Sequence, residues 1–331
     1  MGQAGGGTLS WEFGPLLRGG CALLRISRSD ANIHSQFDPA LDPVATVGPG
    51  QTLEVETAHH LALYKRELTE DDLLETLPFD LLNPLTGPIA IKGAQPGDTV
   101  VIQIDAIELG SRGDCPLISS GGLLQGHLRA PYMRIFEVKD RLVQFEGGIE
   151  FPIAPMAGAL GMTPATPIHT VHPGDHGGNL DDINVAPGAR LYFPVFVEGG
   201  MFCIGDVHAS QGDSEWCGPL EMDATVTLTI VELVKGTEQE TVWTETDNHW
   251  IVYGAEPTLY DSIESAAFRM ARAVSSGLDL SLEDTALLLS NVSHIRLCQA
   301  CKGPFNPVVR SEFPKSIDRN GRLRGEILGS R

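Results

Sequence analysis

The chain is poor in positive charge and cysteine and has no long apolar run, and each scarcity removes a class of function. Only 23 Lys and Arg stand against 43 Asp and Glu in 331 residues, a formal charge of -20. Such a surface repels nucleic acid and anionic membranes, so neither is expected as a partner and a small neutral or cationic ligand suits it better. No run of about 18 apolar residues occurs, and Met1 to Gly7 has neither the basic stretch nor the hydrophobic segment of a leader. The expected location is the cytoplasm. Six cysteines, Cys21, Cys115, Cys203, Cys217, Cys298 and Cys301, are too sparse for a disulfide scaffold and fit reduced thiols. Cys298 and Cys301 form a lone C-x-x-C, which reads as structural without a second pair or a helix start to activate it. A nucleotide-binding glycine loop is missing too. What remains is 42% hydrophobic with mean hydropathy near zero, enough to bury a large core.

A turn followed by a strand recurs three times. Pro49-Gly50 precedes Thr52 to Thr57, Pro96-Gly97 precedes Thr99 to Ile107, and Pro187-Gly188 precedes Arg190 to Val197. Val100, Ile102, Ile104 and Ala106 alternate with Gln103 and Asp105, and Val226, Leu228 and Ile230 alternate with threonines, the period of half-buried strands. The run Leu191 to Ile204 also reads as strand. Before about Val234 no amphipathic helix longer than the Glu70 to Leu77 segment is expected. After it, Ile263, Ala267, Met270 and Val274 mark a helical face, with Thr258 or Asp261 as cap and Gly277 as stop. Ser281 and Asp284 resemble a capping box for a second helix. The expected class is α+β and predominantly β: a β-sandwich-like body over residues 1–240, with a C-terminal α+β region, 241–331, packed on it.

Two polar clusters interrupt this pattern. Asp206-Val207-His208 through Gln211, Asp213 and Glu215 follows an apolar strand, and His176-Gly177-Gly178-Asn179-Leu180-Asp181-Asp182 has the same composition. Loops on rigid strands carry catalytic groups, and glycines let backbone approach a ligand. Asp206 and His208, two apart, would share one side of an extended segment. With His176 and Asp181 they would form a mixed imidazole and carboxylate site, which suits zinc; carboxylates and carbonyls alone would suit calcium. Of the adjacent Asp181 and Asp182, only one is expected to point inward. Amide hydrolysis needs an activated water, a stabilised oxyanion and a proton for the amine, and Glu221 or Glu215 could supply the base. Asn179 or Gln211 could hold a substrate amide. A different reading makes Cys217 a nucleophile activated by histidine.

The order of motifs resembles the acetamidase/formamidase family. Four passages carry it: Asn32-Ile33-His34 through Leu41-Asp42-Pro43-Val44-Ala45-Thr46-Val47 to Glu56-Thr57-Ala58-His59-His60; Leu85-Thr86-Gly87-Pro88-Ile89 with Gly93-Ala94-Gln95-Pro96-Gly97-Asp98; His176-Gly177-Gly178-Asn179-Leu180-Asp181; and the Gly205 to Glu215 loop with Glu221 beyond it. The resemblance implies hydrolysis of a short amide, adds His34 and His60 to the rim of the site, and with the acidic surface implies a homo-oligomer, a dimer or trimer. Two departures stand out. Asn83-Pro84 occupies a place where family members often have a histidine, and Ser111 to Arg134 fits poorly, as a loop that would reshape the pocket. Beside the metal hydrolase stand the Cys217 amidase and a non-enzymatic β-sandwich binding calcium or a sugar.

Overall fold

The computed structural model describes residues 23–65, 67–71, 79–117, 122–300 and 305–329. The Pro-Gly turns lead into strands at Thr52–Thr57, Thr99–Leu117 and Arg190–Pro194. Gly50, Gly97 and Gly188 have φ of 82°, 89° and 98°, and a Cβ at any of them would meet nothing within 4 Å. Backbone conformation rather than crowding therefore calls for glycine there. Glu221–Val234 lies between two of these strands, antiparallel to both Thr52–Thr57 and Thr99–Leu117. Arg190–Pro194 adds to Thr99–Leu117 through Arg190↔Gln103 to Pro194↔Thr99.

Among the described residues, 18 strands hydrogen-bond into one sheet, and Gln36–Phe37 with Ile168–His169 form a second of two strands. The large sheet folds so that Leu53, Ile89, Ile102, Phe193, Phe202 and Ile251 meet in one core. Every residue of Leu85–Ile91, Met156–Met162 and Phe202–His208 is buried, which removes the alternation that marks a half-buried strand. The protein is thus mainly β, with its long helices near the C-terminus. No helix among the described residues is long and apolar enough to cross a membrane.

Four sequence expectations are corrected. The run Leu191 to Ile204 is two strands, Arg190–Pro194 and Phe202–His208, because Gly199 and Gly200 take φ of 77° and 67° and turn the chain. Ser111 to Arg134 is not a loop throughout: its first part continues Thr99–Leu117 and pairs with Tyr132–Lys139 from Arg112↔Glu137 to Leu117↔Tyr132. Helix Leu259–Leu278 buries Ser262, Ala266, Met270, Ala273 and Val274, a face shifted from the expected one. Ser262 joins that buried face, its hydroxyl accepting from the Glu256 N–H and meeting the Pro307 carbonyl. That helix starts at the Thr258 cap and ends on Asp279 in the left-handed region, beyond Gly277; Ser281 caps Leu282–Val292 as expected. Most of the Glu70 to Leu77 segment, and Cys301, lie outside the described residues.

Asp98 closes the second Pro-Gly turn and yields a stability prediction. Its carboxylate accepts from the Gln95 N–H (2.7 Å) and the Gly236 N–H (3.0 Å) and pairs with Lys235. Burial alone would raise its pKa, but Lys235 and the two N–H groups outweigh burial and hold it below the ordinary 3.8. A depressed carboxyl stabilises the fold above its unfolded value and loses that contribution as pH falls through the folded one. Asp98→Ala is expected to cost about 1–3 kcal/mol at neutral pH, a cost that shrinks as pH drops below about 4. Urea melts of both proteins at the two pH values check this.

Candidate functional site

The site is assembled by strand register. His208, the last residue of Phe202–His208, pairs with Glu221, and Glu221 pairs on its other side with Asp114 near the end of Thr99–Leu117. Directly opposed residues on neighbouring strands project to the same face, so an imidazole and two carboxylates stand in a row. Met156–Met162 flanks Phe202–His208 through Ala157↔Val207 and Ala159↔Gly205, and holds Gly177–Asn179 through Ala159↔Asn179. Between those pairs sits Gly158. A Cβ there would lie 2.6 Å from Asp181 Oδ1 and 2.9 Å from Asp206 Oδ2, so only glycine leaves both carboxylates room. Asp181 and Asp206 have φ of 48° and 53°. Such non-glycine residues persist where their surroundings over-determine them, and they gather at functional sites. The expected extended run from Asp206 to His208 is therefore replaced by a left-handed residue. The two side chains still meet, with Asp206 Oδ1 3.7 Å from His208 Nε2.

One ligand atom from each of Asp181, Asp206 and His208 falls within 4.8 Å of the others, and His59, His60 and Asp114 form a second such group. Glu221 stands between them. Its Oε2 is 3.3 Å from His208 Nε2 and its Oε1 is 3.5 Å from His60 Nδ1, while His60 Nε2 is 3.0 Å from Asp114 Oδ2. Among these buried ligand atoms Asp181 Oδ1 has no hydrogen bond, and His60 Nε2, Asp114 Oδ2, Asp206 Oδ1, His208 Nε2 and Glu221 Oε2 meet only one another, in imidazole–carboxylate contacts of 3.0–3.7 Å. An unsatisfied buried polar group ordinarily costs about 1–3 kcal/mol, so this concentration calls for a partner of another kind. Buried carboxylates in excess of cations call for positive charge. The donor set, carboxylate oxygens with imidazole nitrogens, fits a divalent metal.

Electrostatics point the same way. Burial works against charge on His60 and His208, yet Asp114 and Glu221 raise His60, and Glu221 and Asp206 raise His208, well above the ordinary imidazole value. A field that favours a proton on these rings favours any other cation at the same place. Glu221 is held well below the carboxylate range; burial opposes this and the two histidines prevail. Asp181 is raised by burial, then by Glu215 and Asp206. Burial pushes Glu215 up to about 8, against the pull of His208 and a hydrogen bond with Asp181.

The residues singled out by sequence fall into groups. Asp181, Asp206, His208 and Glu221 converge, with Glu215 hydrogen-bonded to Asp181 and His60 beside Glu221. Asn179 donates to Asp181 through its amide nitrogen and accepts from Asn83 at 2.9 Å, so both ends of its carboxamide are engaged beside Asp181. Gln211 does likewise, meeting His208 Nδ1 at 2.8 Å and donating to the Asp181 carbonyl at 2.7 Å. His176 is not in the Asp181, Asp206 and His208 group. Its ring meets Phe37 edge-on at 4.9 Å, and burial, aided by His172, lowers it to about 4. His34 is half-buried, lowered by burial against the opposing charge of Asp38. The Cys217 thiol is half-buried and burial raises its pKa, the opposite of what activates a nucleophile. Asp181 and Asp182 are both buried, against the expectation of one, because they serve different partners: Asp182 faces Tyr253 and Arg310.

Sequence reasoning missed Asp114 and the roles of His59 and Asn83. Asp114 gave no signal, since it lies beyond the alternating part of its strand. Asn83 did, as a departure: it replaces an expected histidine and donates to Asn179 Oδ1 and, at 2.8 Å, to Asp206 Oδ2. A cavity of about 540 Å³ reaches Asp114 and Glu221, bordered by Arg28, His59, Arg112 and Asp223.

Known proteins share this arrangement of chain. A crystal structure of an acetamidase from Bacillus halodurans superposes with TM-score 0.84 at 30% identity, covering 90% of this chain and 99% of that one. A recombinant predicted acetamidase/formamidase from Thermoanaerobacter tengcongensis gives 0.83 at 29%, covering 94% and 100%. The curated formamidase of Methylophilus methylotrophus is 27% identical over 252 residues, 58% of this chain; the match spans 62% of that protein, less than two thirds of its length. A family model described as the Acetamidase/Formamidase family matches residues 24–169 and 165–260, which carry every strand of the site. By fold and by this match, the chain belongs to the acetamidase/formamidase family.

Proposed function

We propose that this protein hydrolyses a short linear amide to the carboxylate and ammonia, with a divalent cation held by Asp181, Asp206 and His208. The observation that carries the reading is the pair of buried carboxylate–imidazole groups, each with its ligand atoms within 4.8 Å of one another, on either side of Glu221. When bound, such a cation supplies Lewis acidity, which acidifies water and polarises an amide carbonyl. The donor chemistry favours zinc. His59, His60 and Asp114 offer a second donor set across Glu221.

The chain's own groups account for the rest. Gln211 Oε1 at His208 Nδ1 fixes the tautomer whose Nε2 lone pair faces the site. Asn83 and Asn179 hold the carboxylates of Asp206 and Asp181. Glu221, which borders the cavity and stands beside both imidazoles, takes the proton of the attacking water and passes it to the departing nitrogen as the C–N bond breaks. Asp114 anchors His60, which orients Glu221. The cavity beside Asp114 and Glu221 gives the amide its approach. We further take the protein to act in the cytoplasm as a homo-oligomer, on family membership and the acidic composition.

Ammonia release from formamide, acetamide and other short amides tests this. Chelation is expected to abolish release, zinc to restore it, and Cys217→Ala to leave it intact. Full activity after chelation together with an inactive Cys217→Ala would move the chemistry to the thiol. No release from any amide with metal supplied would leave a binding protein.

A further inference from the structure

Arg310 lies on Val308–Pro314, outside the segments that supply candidate ligands, and its side chain is 2% exposed. Its guanidinium grips Asp213 with both terminal nitrogens, Nη1 to Oδ1 at 2.8 Å and Nη2 to Oδ2 at 3.0 Å. Nε donates to Glu312 Oε1 at 2.7 Å, and Nη1 stands 3.4 Å from Asp182 Oδ1. Asp182 is fully buried and also accepts from Tyr253 Oη at 2.8 Å. One side chain therefore holds two loops. Asp182 adjoins Asp181, whereas Asp213 sits between Gln211, which orients His208, and Glu215, which bonds Asp181. The second loop is further tied to His294–Gln299, where the Ser214 N–H donates to the Leu297 carbonyl at 2.9 Å.

We infer that Arg310 is a positioning residue for the metal site: its forked grip on Asp213 and its charge beside Asp182 set the two ligand-bearing loops in register. The inference rests on the hydrolase reading for its consequence and on geometry for its premise. Both loops contain residues that need such support, since Asp181, Ser214 and Glu215 have φ of 48°, 77° and 47°. A two-pronged contact to one carboxylate is a property of guanidinium; an ammonium ion is a single point charge and makes no fork. Burial raises the stakes, because a buried carboxylate that loses its cation must move or take up a proton.

The test uses the full chain. Arg310→Lys keeps the charge and loses the fork, and three readouts are taken: zinc affinity by titration calorimetry, hydrogen exchange of residues 179–184 and 206–215, and steady-state hydrolysis. We expect the zinc Kd to rise by about 10- to 100-fold, the scale seen when groups behind metal ligands are changed. Exchange should quicken in both segments, and kcat should fall with KM unchanged. A folded Arg310→Lys with native zinc affinity and native exchange in both segments overturns the inference. Should that variant not fold, Asp213→Asn removes the grip from its more exposed end, carries the same expectation and is judged by the same result. If the unaltered protein binds no zinc, the zinc reading of the site fails on that alone, and exchange in the two segments still decides the role of Arg310.

Discussion

Glu221→Gln is expected to lower kcat by about 10²–10⁴-fold, the usual contribution of a positioned acid–base group, while the metal content stays at the native level. The substitution keeps the side chain's size and removes its negative charge together with its capacity to carry a proton. Its neighbours explain why the loss should be in turnover rather than binding. Glu221 lies between His208 at 3.3 Å and His60 at 3.5 Å, whereas the Asp181, Asp206 and His208 group closes without it. Proton transfer from water to the departing nitrogen needs one group that touches both, and Glu221 borders the cavity while contacting both imidazoles. Ammonia release measured beside metal analysis separates the possibilities. A near-native rate in Glu221→Gln would remove the residue from the chemistry, and loss of the metal together with the rate would make it a ligand instead.

Gly158→Ala, a single methyl, is expected to empty the site while leaving the fold in place. The added carbon would lie 2.6 Å from Asp181 Oδ1 and 2.9 Å from both the Asp206 carbonyl oxygen and its Oδ2. Two of these atoms are carboxylate oxygens that would have to turn away, and the third is backbone in a fully buried strand, which would have to shift with them. Overpacking of this kind costs about 1–3 kcal/mol, which lowers the melting temperature without unfolding the protein. Displacement of catalytic or ligand groups on the order of 1 Å costs about 10²-fold in rate, and zinc affinity should fall in parallel. Calorimetry and thermal melts of the same sample check both parts. A variant that binds zinc and turns over like the native protein would mean that Gly158 is not the floor of the site.

Much of this site is legible in the amino-acid sequence. Asp206, His208, Asp181 and Glu221 stand out because carboxylates and imidazoles crowd between glycines after an apolar strand, a pattern with few purely structural uses. Asp114 does not stand out, since a lone acidic residue at the far end of a 19-residue strand looks like any solvated side chain. Its place beside Glu221 depends on a register set over 100 residues away in the chain. Asn179 and Gln211 are recognisable as site residues by neighbourhood, but their carboxamides are spent on Asp181 and His208. Composition says that a polar group is near a site; only geometry says toward which partner it is turned. His176 shows the same limit, because its ring packs on Phe37 although it shares a motif with Asp181.

Local rules of the chain thus determine the Pro-Gly turns, the alternating strands, the Thr258 and Ser281 caps, the acidic exterior and the two polar clusters, for each depends on residues a few positions apart. The family, too, is legible in the order of its motifs. Tertiary structure alone decides which members of the clusters meet, because strand pairing carries His208, Glu221 and Asp114 into one row. It decides that Asp182 turns to Arg310 while its neighbour Asp181 turns to the site. The physical reason is that burying several carboxylates together is costly unless distant segments supply the geometry and the positive charge, and neither is encoded within any one segment.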